Sequence, residues 1–305
     1  MRASLGLPTH QGGELSSAAA IAAMASGAEA AGFDAVFVTD HPFPGDRWLA
    51  TGGHHALDPF VALSFAAAAT RDLRLHTNLL VLAYRNPFLS AKAVATLDSL
   101  SEGRVIVGIG AGYLEPEFEA LGVDFAERNE LTDEAIVALR AAWTGESVNS
   151  TGRHWQAPAN TMLPRPAQTP GPPIWVGGNS RRAIRRAVEL CDGWMPMPSP
   201  PGSERRLHTP ALASLDDLRS RLDYAREHAA VVGRREPLEV VFMPGGLDMF
   251  TNAGLDAGRV VDSVGELAEL GVTYLTVNLP GDTSSAFLDN VAAFGDGVLR
   301  PVADL

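Results

Sequence analysis

Short apolar runs alternate along the chain with longer alanine-rich or amphipathic stretches, and glycine, proline or small polar residues mark each change. Ala3–Leu7 predicts a short strand, Leu15–Ala31 a helix ended by Gly32, and Ala35–Val38 a buried strand that runs out into Thr39-Asp40-His41-Pro42. After a proline- and glycine-rich loop, Phe43–Gly53, a helix is expected near Pro59–Thr70 and a strand over Leu73–Val81. Asn86-Pro87 opens a helix through Leu100, with Pro87 suited to its first turn, and Gly103 precedes the strand Arg104–Ile109. Gly110-Ala111-Gly112 ends that strand, and an acidic segment, Glu115–Glu119, leads into a long helix, Glu127–Trp143.

Residues 144–172 break the rhythm. Val148–Trp155 reads as a hairpin and Pro158–Pro173 as a proline-rich excursion; the alternation then resumes at Ile174, so the segment is an insertion rather than a linker between domains. Strands follow near Gly193–Met195, Leu238–Met243 and Val272–Asn278, and helices near Leu212–Val232, Arg259–Leu270 and Ser284–Val298. The pattern predicts an α/β fold: one (β/α)8 TIM barrel domain over residues 1–305, with an insertion around 144–172. An open doubly wound sheet would carry G-x-G-x-x-G after its first strand, where Pro8-Thr9-His10 stands, and Gly108–Gly112 lacks that spacing.

In a barrel, chemistry sits at the C-terminal strand ends. Those ends are His10, Asp40-His41, Asn78, Ala111-Gly112-Tyr113, Gly177–Arg181, Met195–Met197, Met243 and Asn278. Glycine and apolar residues dominate them, which suits a wide pocket for a planar ring more than hydrolysis by paired carboxylates. The histidines show no H-E-x-x-H or comparable spacing, so no metal site is expected.

Composition narrows the classes of function. With 46% hydrophobic and 20% charged residues the chain is that of a soluble globular protein. A formal net charge of −12 without a long basic block argues against nucleic acid and anionic membrane as partners, so any anion site must be local. Cys191 is the single cysteine; it reads as a small buried residue, and its solitude fits a reducing cytoplasm. The start of the sequence is not expected to act as an export signal, and without a run of about 18 apolar residues no transmembrane helix is expected.

The stretch Ile174–Arg181, IWVGGNSR, is a strand, a glycine turn and a helix start. Gly177 and Gly178 let backbone amides approach a ligand, the free N–H groups of the helix favour an anion, and Ser180, Arg181 and Arg182 would add a hydroxyl and positive charge. A phosphate site for a cofactor tail is one reading. A tight strand-to-helix turn with Ser180 as N-cap and arginines at the surface is the other.

Several stretches together resemble one family. They are GFDAVFVTDH (32–41), YRNP (84–87), ATLDSLSEGR (95–104), Gly108–Gly112, EFEALGV (117–123), Pro172–Ser180 and Asp192-Gly193-Trp194, in order along nearly the whole chain. On these the chain is identified as a member of the luciferase-like monooxygenase family, in the branch of coenzyme F420-dependent oxidoreductases. The resemblance implies a barrel holding F420, or FMN as the alternative, with the ring at the strand ends and the phosphate near the glycine turn.

The resemblance also implies roles for residues. Asp40 and His41 lie beside the ring, and His41 is the candidate proton donor or ring-orienting group, a task suited to imidazole. Asn78-Leu79 matches the family's non-proline cis peptide on the third strand. The cofactor set is Asp40, His41, Asn78, Leu79, Val81, Ala111, Gly112, Gly177, Gly178, Asn179, Ser180 and Arg181. Tyr113 stands where sugar-phosphate dehydrogenases of the family have an acid, which makes glucose 6-phosphate an unexpected substrate. The expected function is hydride transfer between deazaflavin and a small organic molecule; the alternatives are an FMN-dependent monooxygenase and a non-catalytic flavin-binding barrel. A cytoplasmic homodimer is expected, and the apolar face of Ala91–Leu100 is compatible with it. The loops Phe43–His55, Val148–Pro173 and Met195–Pro210 are expected to line or cover the entrance.

Overall fold

The computed structural model describes residues 1–247, 255–303 and 305. In chain order its elements begin with β1 (Arg2–Gly6), α1 (Ala18–Ala30), β2 (Ala35–Val38), α2 (Asp46–Leu49), α3 (Pro59–Ala69), β3 (Arg74–Val81), α4 (Pro87–Leu100) and β4 (Val105–Gly110). Next come α5 (Glu115–Ala120), α6 (Arg128–Trp143), the pair β5 (Val148–Gly152) and β6 (Trp155–Asn160), β7 (Ile174–Gly177), α7 (Arg181–Leu190) and β8 (Gly193–Met195). The chain continues through α8 (Glu204–Leu207), α9 (Leu215–Val232), β9 (Glu239–Phe242), α10 (Ala257–Leu270), β10 (Tyr274–Val277) and α11 (Ser284–Phe294).

Strands β1, β2, β3, β4, β7, β8, β9 and β10 pair in parallel in that order, and β1 pairs with β10 to close the barrel. The predicted (β/α)8 architecture is therefore the observed one. Covered on one face by helices and on the other by the barrel interior, β2 and β7 are buried at every position, which is why they read as unbroken apolar runs. Alternation divides the packing: Val36, Val38, Val107 and Val176 join the layer between strands and helices, while Ala35, Ile106, Trp175, Met195, Val241 and Tyr274 form an inner cluster.

Helix starts follow local chemistry. Asn86 caps α4 through Phe88 N and Leu89 N, with Pro87 at its first position, and Asp58 caps α3 in the same way. The first helix starts at Ala18 rather than Leu15, because Gly12 and Gly13 take positive φ and Ser17 caps it, leaving two short 3₁₀ turns upstream. Two further departures bear on the site: the loop 43–53 contains α2, and the acidic segment 115–119 is a separate helix, α5, rather than a lead into α6.

The insertion does not cover the entrance. It leaves the C-terminal end of α6, which lies at the N-terminal face of the barrel, and must return there to begin β7. Between these points it packs along α4. Trp155 stacks edge-on against Phe88 at 4.9 Å, Leu163 O accepts from Lys92 Nζ, Arg165 O accepts from Ser99 Oγ, and Gln168 bonds Asp98 Oδ1 and Val105 O. On α4, Ala91, Val94, Ala95 and Leu97 are buried inside the protomer, while Leu89 and Leu100 are exposed.

Candidate functional site

Inward-facing glycines open the C-terminal half of the barrel. On β4, Gly108 and Gly110 alternate with Ile106, and on β7 Gly177 alternates with Trp175. A Cβ on Gly177 would collide with Leu79 Cδ1, and one on Gly110 would lie 3.3 Å from the same atom. Leu79 therefore lies across two bare backbone positions and forms the floor of the mouth. It follows a cis peptide at Asn78–Leu79, as the resemblance implied, where the pairing of β3 with β4 shifts register between Thr77 and Leu80. Asn78 and Leu79 are half-buried, as are Ala111 and Gly112 opposite.

The end of β2 supplies Asp40 and His41, both buried, and they face different neighbours. Arg85 reaches Asp40 with Nη2 to Oδ1 at 2.6 Å and Nε to Oδ2 at 3.3 Å, and Val81 N donates to Oδ2 at 3.1 Å. Burial raises the Asp40 carboxyl above its ordinary range, and Arg85 and the Val81 N–H partly offset that. The acid thus ties the ends of β2 and β3 together, and Val81 enters the site through its backbone.

His41 is held from two sides. Its Nδ1 lies 3.2 Å from Glu117 Oε2, and its Nε2 lies 3.4 Å from Tyr113 Oη. Trp48 of α2 packs on the imidazole at 4.7 Å and His54 at 5.1 Å, with His10 a further 5.3 Å from His54. Burial lowers His54 and His10 below the usual imidazole value and pushes Tyr113 up to about 12, so these three are uncharged near neutrality. The loop 43–55 therefore does line the mouth.

The glycine turn after β7 is engaged by its own protein more than its sequence suggests. Gly178 takes φ +114 and Ser180 caps α7, its Oγ accepting from Ala183 N. Asn179 is buried: Nδ2 donates to Met197 O and Pro210 O, Oδ1 accepts from Met197 N, and its own N–H donates to Thr209 Oγ1. The segment 197–212 is thereby drawn over the turn. The N–H groups of Arg181 and Arg182 remain at the open end of the helix. Of the expected cations, Arg182 is neutralised by Glu130 and Asp133, while the Arg181 guanidinium lies 5.1 Å over the Tyr224 ring.

Two residues at this site escaped the sequence reading, Glu117 and Tyr84, whereas Trp48 and His54 lie in the loop 43–55 expected to line the entrance. In the sequence Glu117 is one of three acids in the segment 115–119, yet Glu115 and Glu119 are exposed and Glu117 is 2% exposed. The adjacent Phe118, fully buried, was the available signal that this face of the segment turns inward. Among the described residues no group of His, Cys, Asp and Glu is arranged to hold a metal ion, and no helix is long and apolar enough to cross a membrane.

Comparison with known proteins agrees with this geometry. The profile of the luciferase-like monooxygenase family matches residues 1–245. An F420-dependent glucose-6-phosphate dehydrogenase of Beutenbergia cavernae is 32% identical over 307 residues, covering 87% of this chain and 88% of its own. In fold, the monooxygenase RslO1 of Streptomyces bottropensis superposes with a TM-score of 0.80 over 98% of this chain and 99% of its own, at 22% identity. An F420-dependent secondary alcohol dehydrogenase, solved with an F420-acetone adduct, gives 0.73 over 99% and 98%, at 17% identity. A barrel with this order of strands, a glycine-floored mouth and a family match over most of its length places the chain in the luciferase-like monooxygenase family, as an oxidoreductase.

Proposed function

We propose that this single-domain barrel is a coenzyme F420-dependent oxidoreductase acting on a small organic alcohol or carbonyl compound. The observation that supports it most is the placement of His41: its Nε2 and the Tyr113 hydroxyl stand together at a mouth floored by Leu79 and bare glycine backbone. A planar ring fits beside Asn78, Leu79, Ala111, Gly112 and Gly177. An anionic tail fits Gly178, Ser180 and the open N–H groups that begin with Arg181. F420 is favoured over FMN by the Asp40-His41 pair, the Asn78-Leu79 match and the 32% identity to an F420-dependent dehydrogenase.

When bound, the deazaflavin supplies the hydride chemistry. The protein's part is the rest. Trp48 and His54 exclude water around His41, Asp40 fixes the strand ends through the Val81 N–H and is itself held by Arg85, and His41 Nε2 exchanges a proton with the substrate oxygen while Tyr113 donates a hydrogen bond to it. The uncharged wall of His10, His54 and Tyr113 suits a neutral substrate better than a sugar phosphate. A homodimer in the cytoplasm is part of the same proposal, on the family's habits.

The test is turnover. The oxidised deazaflavin absorbance is followed with a panel of neutral alcohols and with glucose 6-phosphate, and oxygen consumption is followed with reduced FMN. Reduction of F420 by a neutral alcohol is the expected result; oxygen use with FMN alone would replace the proposal with a monooxygenase.

A further inference from the structure

Glu117 is a buried acid whose two oxygens both accept. Oε1 takes the Phe43 N–H at 3.0 Å, and Oε2 faces His41 Nδ1 at 3.2 Å. Two donors on two oxygens call for a carboxylate, since an amide offers one acceptor and places an N–H₂ against the other donor. Arg85 is committed to Asp40, and His41 is the basic side chain paired with Glu117 among the described residues. A further donor lies close by. Tyr84 Oη is buried without a hydrogen-bond partner of its own, and burial, with the Asp40 and Glu117 carboxylates, holds the phenol far above its usual range, so it stays a neutral O–H beside Glu117.

We propose that Glu117 is the positioning residue of the site. It holds the Nδ1 proton of His41 and so fixes the tautomer in which Nε2, 3.4 Å from Tyr113 Oη, is the nitrogen that takes up and releases a proton. Through Phe43 N it also sets the start of the loop that carries Trp48 against the same imidazole. Glu117 touches no substrate atom; it acts through His41. The other titratable groups on this ring are Tyr113 from the connection between β4 and α5 and His54 from the loop after α2. The role deepens the oxidoreductase reading, and only its effect on turnover rests on that reading.

The test is ¹⁵N NMR of the free protein with labelled histidine, His41 being assigned by a His41→Gln variant. Wild-type His41 is expected to carry the proton of its neutral ring on Nδ1 and to leave Nε2 bare. In Glu117→Gln the neutral ring shifts toward the Nε2–H form, and kcat falls at least about 10-fold with cofactor affinity unchanged. Glu117→Asp, which keeps the carboxylate, restores the Nδ1–H form. A wild-type His41 carrying its neutral proton on Nε2, or an unaltered tautomer in Glu117→Gln, overturns the assignment. Once His41 is assigned, the wild-type spectrum decides the tautomer, so a Glu117 variant that fails to fold leaves the test standing. An Nε2–H tautomer together with F420 turnover sinks the positioning role alone; an Nδ1–H tautomer without F420 turnover sinks the cofactor reading alone.

Discussion

Arg85 Nη2 donates to Asp40 Oδ1 at 2.6 Å, so the acid beside His41 is bound by the protein itself. Asp40 is 3% exposed, and truncating its partner would strand a buried carboxyl. Arg85→Ala is expected to destabilise the fold by about 3–5 kcal/mol, read from urea denaturation, whereas an exposed pair such as Arg219–Asp216 is expected to give about 0–1 kcal/mol.

Leu79 fills the position that a Gly177 side chain would need. Gly177→Ala should therefore displace Leu79, cost about 1–3 kcal/mol and weaken binding of a ring at the mouth. Adding Leu79→Ala removes the collision. If the double variant is no more stable than the sum of the single losses predicts, the two residues do not share this space.

Asn179 clasps the segment 197–212 with both ends of its amide. Asn179→Asp sets an oxygen against Met197 O and Pro210 O in place of a donor. A loss of about 2–4 kcal/mol is expected, with faster proteolysis at residues 203–208. Unchanged cleavage there would mean that other contacts hold the segment.

Glu29 Oε1 accepts from Arg71, Asp72 and Leu73 N–H at 3.0, 2.7 and 2.9 Å. Burial opposes its ionisation, but these donors and Arg104 outweigh it, so its folded-state pKa lies below the ordinary 4.5. A depressed carboxylate supplies stability that is complete above the unfolded value and is lost as pH falls through the folded one. Glu29→Gln should therefore flatten the stability–pH curve below about pH 5 and leave its slope near neutrality unchanged.

The alternation of strand and helix is legible because a strand buried on both faces, such as Ala35–Val38, has to be an unbroken apolar run, and a small polar residue such as Ser180 before a helical run marks a cap. Charge is legible only as composition. Glu115, Glu117 and Glu119 look alike until α5 turns the middle one inward, and Arg182 reads as a free cation until α6 brings Glu130 and Asp133 beside it. Which face of the barrel a loop occupies follows from what it connects. Residues 148–173 join a helix to the next strand and so belong with α4 and the base, while 43–55 follows a strand and belongs to the mouth.

The most direct measurement is a fluorescence titration of the protein with F420 and with FMN, repeated with Ser180→Asp. Aspartate caps a helix as well as serine, so the variant keeps α7 while placing a negative charge at its open N–H groups. Tight F420 binding, weakened about tenfold or more in Ser180→Asp, with little affinity for FMN, is the predicted result. Binding of FMN in preference to F420, or of neither, would contradict it.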